Sequence, residues 1–343
     1  MLLDGKRVLI TGGTGSLGQV LTSRILSKEL GTPGKVIIFS RDEAKQHAMR
    51  LDYQHRRAAT DEVIYHNFEK LLEFRIGDIR DYDSVASVLR RVDIVFSAAA
   101  LKQVPTCEYF PFEAVRTNIG GPQNIVRAIQ ELSLPVEIVV GVSTDKACKP
   151  INIMGMTKAI QERIFITANL HAPKTRFVCV RYGNVLASRG SVIPLFLEQI
   201  RAGGPVTITL KEMTRFLLSL DRAVDTIFAA ATGAQTGETY VPRVSSARVL
   251  DIAMVMIGER NIPIQYTGIR PGEKIHEILI SEEECFRTVA RGDYYAIRPI
   301  LPELGGSGEG APVLESEYCS RDNTLDREAL RSLLSEAGFL SGL

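Results

Sequence analysis

The sequence has no long apolar run. Its most hydrophobic stretches are strand-sized and fall short of the roughly 20 residues a membrane-spanning helix needs, so insertion into a bilayer is not expected. Neither sign of charge dominates: 41 Lys and Arg face 40 Asp and Glu, for a formal net charge of +1. Without a basic stripe there is no expected nucleic-acid partner, and without an acidic block there is no solvated tail. Cysteine is scarce and odd in number. Cys107, Cys148, Cys179, Cys285 and Cys319 lack metal-ligand spacing and read as reduced thiols, which argues against a disulfide scaffold and leaves no expected metal site. Cys148, beside the motif described below, reads as a small neutral filler. Residues 1–7 lack the apolar core of a signal peptide, and a cytoplasmic protein is expected. What is present is bulk: 343 residues, 45% hydrophobic, suffice for a large core in one α/β unit or two intimate lobes.

Strand-like and helical patterns alternate from the start of the chain. Residues 6–10 form a short apolar strand that runs into Thr11-Gly12-Gly13-Thr14-Gly15-Ser16-Leu17-Gly18 and then an amphipathic helix to about Ser27. Glycines so spaced, after a strand and opening a helix, let a backbone approach a pyrophosphate held at the helix N-terminus. This assigns Gly12, Thr14, Gly15, Ser16, Leu17 and Gly18 to a dinucleotide. A second strand, 35–39, ends in Ser40-Arg41-Asp42 where an NAD site would carry an acid; a hydroxyl and a guanidinium there favour the 2′-phosphate of NADP. Strand 72–76 ends in Gly77-Asp78, with Asp78 placed for the adenine amine, and strand 92–96 ends in Ser97-Ala98-Ala99-Ala100, small enough for a cofactor to lie against Ala98. A helix over 112–132 and strands 137–142 and 176–180 complete a doubly wound parallel sheet, an α/β fold.

The fifth strand delivers Ser143-Thr144-Asp145-Lys146 at its carboxyl end, where open α/β sheets bind ligands. Pro150 forces a turn, and the following helix sets Met154 and Lys158 four apart on one face. An acid, two amines and hydroxyls thus converge. Downstream, Arg181-Tyr182-Gly183-Asn184-Val185, Arg189, Met213-Thr214-Arg215-Phe216 and Arg270-Pro271-Gly272-Glu273-Lys274 lie in less regular surroundings, and the arginines suit an anion. The Gly/Ser-rich stretch 305–310 reads as a mobile linker before a short helix over 326–337.

Taken together, these motifs resemble the extended short-chain dehydrogenase/reductase superfamily, and within it the inverting UDP-N-acetylglucosamine 4,6-dehydratases of polysaccharide biosynthesis, in one register over about residues 4–300. The resemblance implies a Rossmann domain over 1–182 with a return segment at about 216–257. It further implies a smaller C-terminal substrate-binding lobe from 183–215 and 258–300, and a tail from 301–343. It implies NADP as cofactor, a UDP-sugar as substrate and a homo-oligomer. In that family hydride leaves C4 of the sugar, a base takes the C5 proton, water leaves from C6 and hydride returns there, giving a 4-keto-6-deoxy sugar inverted at C5. Carried onto this chain, Lys146 matches the C5 base, Asp145 the acid at C6, Thr144 the hydroxyl near the C4 oxygen and Lys158 the amine on the nicotinamide ribose. Lys102 falls near cofactor and sugar, while Asn184, Arg189, Arg215, Arg270 and Glu273 fall on the substrate side.

Such a base must be an uncharged amine, so the pKa of Lys146 is expected to be lowered, while Asp145 must keep a proton. One departure stands out. Met154 occupies the place where most of the superfamily has Tyr, so it is expected to serve as an apolar wall of the sugar pocket, and the C4 base stays open among Lys158 through a water, Thr144 as relay and the Asp145–Lys146 pair. Tyr109 or Tyr182 would serve only if the fold brings one close. A C4-epimerase acting on a UDP-HexNAc and a non-catalytic NADP-binding sensor remain as alternatives.

Overall fold

The β-branched runs of the N-terminal half pair side by side. In the computed structural model, which describes residues 1–55, 70–186, 192–305 and 310–340, fifteen strands are formed. In chain order they are β1 (Arg7–Thr11), β2 (Lys35–Ser40), β3 (Leu72–Ile76), β4 (Ile94–Ser97), β5 (Ile138–Val142), β6 (Arg176–Val180), β7 (Val206–Ile208) and β8 (Thr214–Phe216). They continue with β9 (Thr239–Pro242), β10 (Ser246–Arg248), β11 (Ile264–Tyr266), β12 (Ile278–Ile280), β13 (Thr288–Arg291), β14 (Tyr294–Ile297) and β15 (Tyr318–Cys319).

Nine strands make one sheet in the order β13-β14-β9-β6-β5-β4-β1-β2-β3. Pairing is parallel from β3 through to β9, and β14 and β13 are added antiparallel at the far edge. The sheet is the parallel Rossmann arrangement expected from the sequence. Val8, Leu9, Ile10, Val139, Val140, Phe177 and Val178 are fully buried, as strands covered by helices on both faces require. The order in which strands are added reverses between the parallel neighbours β1 and β4, so their carboxyl ends form the crevice in which such folds take ligands.

The helix expected over 112–132 is interrupted. It runs as an α-helix Pro111–Val115, a π-turn Arg116–Gly120 and an α-helix Gly121–Glu131. Pro122 lacks an N–H and cannot bond the carbonyl of Asn118, so the chain takes up an extra residue and Gly121 N–H reaches back to Arg116 O. The bulge leaves Asn118 wholly buried, with its amide donating to Leu101 O at 2.9 Å and to Thr157 Oγ1 at 3.0 Å, while its oxygen accepts from Leu101 N at 2.8 Å.

A second core forms the smaller lobe. Ile193, Phe196, Val206, Ile208, Met213, Ile252, Met256, Leu330 and Leu334 are buried together. The helix Val249–Ile257, grouped above with the sheet, therefore turns its apolar face to the lobe, whereas β13 and β14, grouped with the lobe, extend the sheet. The last segment docks too: β15 pairs with β12, and Leu330 and Leu334 of the helix Arg327–Glu336 are fully buried. Of the Gly/Ser-rich stretch at 305–310, residues 306–309 lie outside the described residues.

Candidate active site

The loop after β1 is shaped by what cannot fit. Gly12 has φ +68°, and a Cβ there would stand 2.8 Å from Ala99 Cα; a Cβ on Gly18 would stand 2.4 Å from Gly13 Cα. The helix Ser16–Leu26 begins at Gly15 with no side-chain cap, which leaves its first N–H groups for an anion. Thr11 Oγ1 accepts from Ala98 N and Ala99 N at 3.1 and 3.2 Å and sets the Ala98 loop against the glycines. Thr14 and Ser40 hydroxyls meet at 3.2 Å. Arg41 is exposed, 3.8 Å from Asp78, whose carboxylate is already forked by Arg80 at 2.6 Å. These residues fit a dinucleotide: close backbone, bare helix end and an exposed, loosely paired guanidinium where the second strand stops.

The second half of the site is a charge cluster. Backbone bonds from Ser143 N to Val180 O and from Asp145 N to Tyr182 O fix the turn after β5 against the end of β6. Asp145 is buried, and its Oδ1 accepts from Thr144 Oγ1 at 2.8 Å and from Lys146 Nζ at 3.1 Å. Lys146 Nζ also donates to Asn184 Oδ1 at 3.1 Å and pairs with Glu277 Oε1 at 3.3 Å. Arg215 Nε stands 3.7 Å from the same Glu277 oxygen. Burial, then the charge of Glu277, push Asp145 above the usual carboxylate range, as an acid that keeps its proton requires.

Lys146 departs from the expectation of an uncharged amine. Burial disfavours its ammonium, but Asp145 and Glu277 together outweigh burial and raise the amine above its ordinary value. Two other candidate amines are lowered instead, Lys102 and, by a large step, Lys158, both through desolvation. Lys158 is taken down to about 8, and its Nζ donates inward to Val142 O and Gln161 Oε1, each at 2.5 Å.

Other residues singled out from the sequence separate into groups. Met154 is buried with Cys107 and Ala114, flanked by Leu101, Val104 and Ile153. Tyr109 is 83% exposed, while burial raises the Tyr182 phenol and makes its ionisation harder. Lys102 is exposed on the loop after β4. Arg270 is exposed and 4.0 Å from Glu273, and the turn they share is anchored by Asn152, whose amide donates to Gly272 O at 2.8 Å while its oxygen caps the helix Ile153–His171 at Gly155 N. Arg215 is buried and donates to Thr214 O and Ile275 O besides facing Glu277. Arg189 lies outside the described residues.

Residues 8–299 match the family described as polysaccharide biosynthesis protein. The chain belongs to that family. Its members include nucleotide-sugar dehydratases and epimerases on the extended short-chain dehydrogenase/reductase fold. A Rickettsia canadensis UDP-glucose 4-epimerase is 42% identical over 99% of this chain and 98% of its own. A Methanocaldococcus jannaschii protein named uncharacterized membrane protein MJ1061 is 38% identical over 98% of this chain and 97% of its own. Among the described residues, however, no helix is long and apolar enough to cross a membrane. The X-ray structure of Pen from Bacillus thuringiensis superposes with a TM-score of 0.87 at 35% identity, covering 99% of this chain and 100% of Pen.

In this polysaccharide-biosynthesis protein the residue that sequence reasoning missed is Glu277. Its only local signal is an acid directly before the apolar strand β12, a pattern shared by many solvated carboxylates. Burial works against its charge, yet Lys146, Arg215 and Lys274 hold it below the ordinary carboxylate range. Behind the cluster, Arg181 is fully buried. It forks Glu162 at 3.0 and 2.6 Å and Glu284 at 2.7 and 3.1 Å, and Ser143 Oγ donates to Glu162 at 2.5 Å. The charged floor thus ties β6, the Lys158 helix and the smaller lobe to the turn that carries Asp145.

Proposed function

We propose that this chain catalyses 4,6-dehydration of UDP-N-acetylglucosamine to a UDP-4-keto-6-deoxy sugar, with NADP as resident cofactor. The observation that carries this reading is the direct contact of a half-buried Lys146 with a buried Asp145 at 3.1 Å, in the turn after β5 at the carboxyl edge of the sheet. When bound, the dinucleotide supplies removal of hydride from C4 and its return to C6. Gly12, Gly15 and Gly18 with the helix end at Ser16 suit its pyrophosphate, Ser40 and Arg41 its 2′-phosphate, and Lys158 its nicotinamide ribose once the amine turns from Val142 O.

Elimination needs a base at C5 and an acid at C6 together. One proton moved from Lys146 Nζ to Asp145 Oδ1, along the existing contact, gives both: a neutral amine and a protonated carboxyl. Lys146 then takes the C5 proton, made acidic by the neighbouring ketone, and Asp145 gives its proton to the departing C6 hydroxyl. The Thr144 hydroxyl, already donating to Asp145, offers the relay for the C4 hydroxyl proton that Met154 cannot take. The groups around Lys146 form one contiguous cluster within 3.3 Å of its amine. Return of the C5 proton by that cluster retains C5, so the inversion expected from the resemblance requires a donor on the other face of the sugar.

Incubation with UDP-N-acetylglucosamine and NADP tests the reading. Mass spectrometry should show loss of water, deuterium at C5 when the reaction runs in heavy water, and a C5 configuration that reports the face of return. Lys146→Ala should lower turnover about 10²–10⁴-fold, the usual effect of a lost general base. Isomer without mass change would establish instead the C4-epimerase, the reading favoured by the name of the Rickettsia relative; the acid–base pair exceeds what epimerisation needs.

A further inference from the structure

Glu277 comes from the smaller lobe, 131 positions beyond Lys146, yet its Oε1 lies 3.3 Å from the amine. It is placed there deliberately by its surroundings. Its backbone N donates to Ser320 Oγ at 2.9 Å and Ser320 N donates back to Glu277 O at 2.8 Å, while β12, which follows at once, is held by β15. Two carboxylates therefore flank one amine. The outer oxygens, Asp145 Oδ2 and Glu277 Oε2, are buried and without a hydrogen-bond partner among the described residues. A buried acceptor left bare costs about 1–3 kcal/mol, so the cluster is arranged for something other than stability.

We propose that Glu277 is a positioning residue that retains one proton on the Asp145–Lys146 pair, its carboxylate serving as the counter-charge across the amine. The inference rests on the acid–base reading of that pair. The pair is productive with one proton: with two the amine is blocked, and with none the acid is spent. An anion in contact with Lys146 and close to Asp145 disfavours loss of either proton, so both macroscopic titrations of the pair move up together. The groups facing Lys146 are Asp145, Glu277 and, beyond them, Arg215, with Asn184 as the uncharged acceptor. Those facing Glu277 are Lys146, Arg215 from β8 and Lys274 from the Arg270 turn, and they keep Glu277 itself ionised.

The test is Glu277→Gln, which keeps shape and removes charge, with Glu277→Asp as the conservative variant. Two readouts are taken on folded, dinucleotide-binding protein: the pH profile of kcat/KM, and the pH at which Lys146 becomes half-reactive to an amine-acylating reagent, followed by peptide mass spectrometry without substrate. In Glu277→Gln both limbs of the profile and the labelling midpoint should fall by about one to three pH units, the effect of losing an opposite charge in contact. Glu277→Asp should lie between wild type and Gln. A uniform loss of rate with the profile and the labelling midpoint unmoved overturns the proposal and leaves Glu277 a structural residue. The labelling arm needs no turnover, so a wild type that fails to dehydrate the sugar overturns the dehydratase reading while the midpoint still decides the role of Glu277.

Discussion

The proposed preference for NADP rests on a few atoms of Ser40 and Arg41. β2 stops with a hydroxyl where an NAD site presents a carboxylate, and the neighbouring guanidinium is exposed and only loosely engaged by Asp78. A charge-assisted contact to a 2′-phosphate contributes about 1.5–3 kcal/mol, or roughly ten- to a hundredfold in affinity. Arg41→Ala should therefore weaken NADP by that factor and leave NAD nearly unchanged in a titration calorimeter. Equal binding of the two dinucleotides by wild type would remove the assignment. Lys146 teaches a different lesson at this scale. Adjacency to Asp145 was legible in the sequence, but the sign of the amine's shift was not, because it depends also on the carboxylate of Glu277, which lies far along the chain just before β12.

At the scale of elements, the regular parts were legible because each carries its own period. β6 falls where its apolar run places it, since a strand buried on both faces needs a continuous run, and the edge strand β3 is marked instead by the alternation of Leu72, Phe74 and Ile76 with charged residues. The π-turn at Arg116–Gly120 was not legible: amphipathic spacing continues across it, and only the missing N–H of Pro122 marks the break. The buried fork of Arg181 was hidden for another reason, since its partners come from the Lys158 helix and from the segment after β12. That fork makes stability depend on acid. Burial opposes ionisation of Glu284, but Arg181 pulls it down to about 2 from an ordinary 4.5. Its folded pKa is depressed, so its contribution is complete above about pH 4.5 and is lost as pH falls through about 2, a difference of about 3 kcal/mol by linkage. Urea unfolding of wild type and Glu284→Gln should show a wild-type advantage at neutral pH that shrinks steadily below about pH 4.5.

At the scale of the whole molecule, one surface is unlike the rest. Tyr109, Phe110 and Phe112 are 83, 60 and 77% exposed, and Met156 and Ile160 on the adjacent helix Ile153–His171 are 43 and 46% exposed. Clustered exposed aromatics of this kind mark a contact surface, and a second copy of the chain is the expected occupant. Light scattering should give a multiple of the chain mass at micromolar concentration, and Phe112→Asp should shift it toward a single chain. A wild type that is already monomeric would end that expectation.

The two halves of the charge cluster also arrive at different times. Asp145 and Lys146 are synthesised well before Glu277, and Glu277 is held in place only when Ser320 and β15 have joined β12. Domains fold as they leave the ribosome, N-terminal part first. Lys146 therefore has Asp145 beside it from the outset and gains its second carboxylate only when the segments around β12 and β15 have docked. A chain cut before Ser320 is thus expected to keep the Asp145–Lys146 contact while Glu277 loses the partner that fixes its backbone.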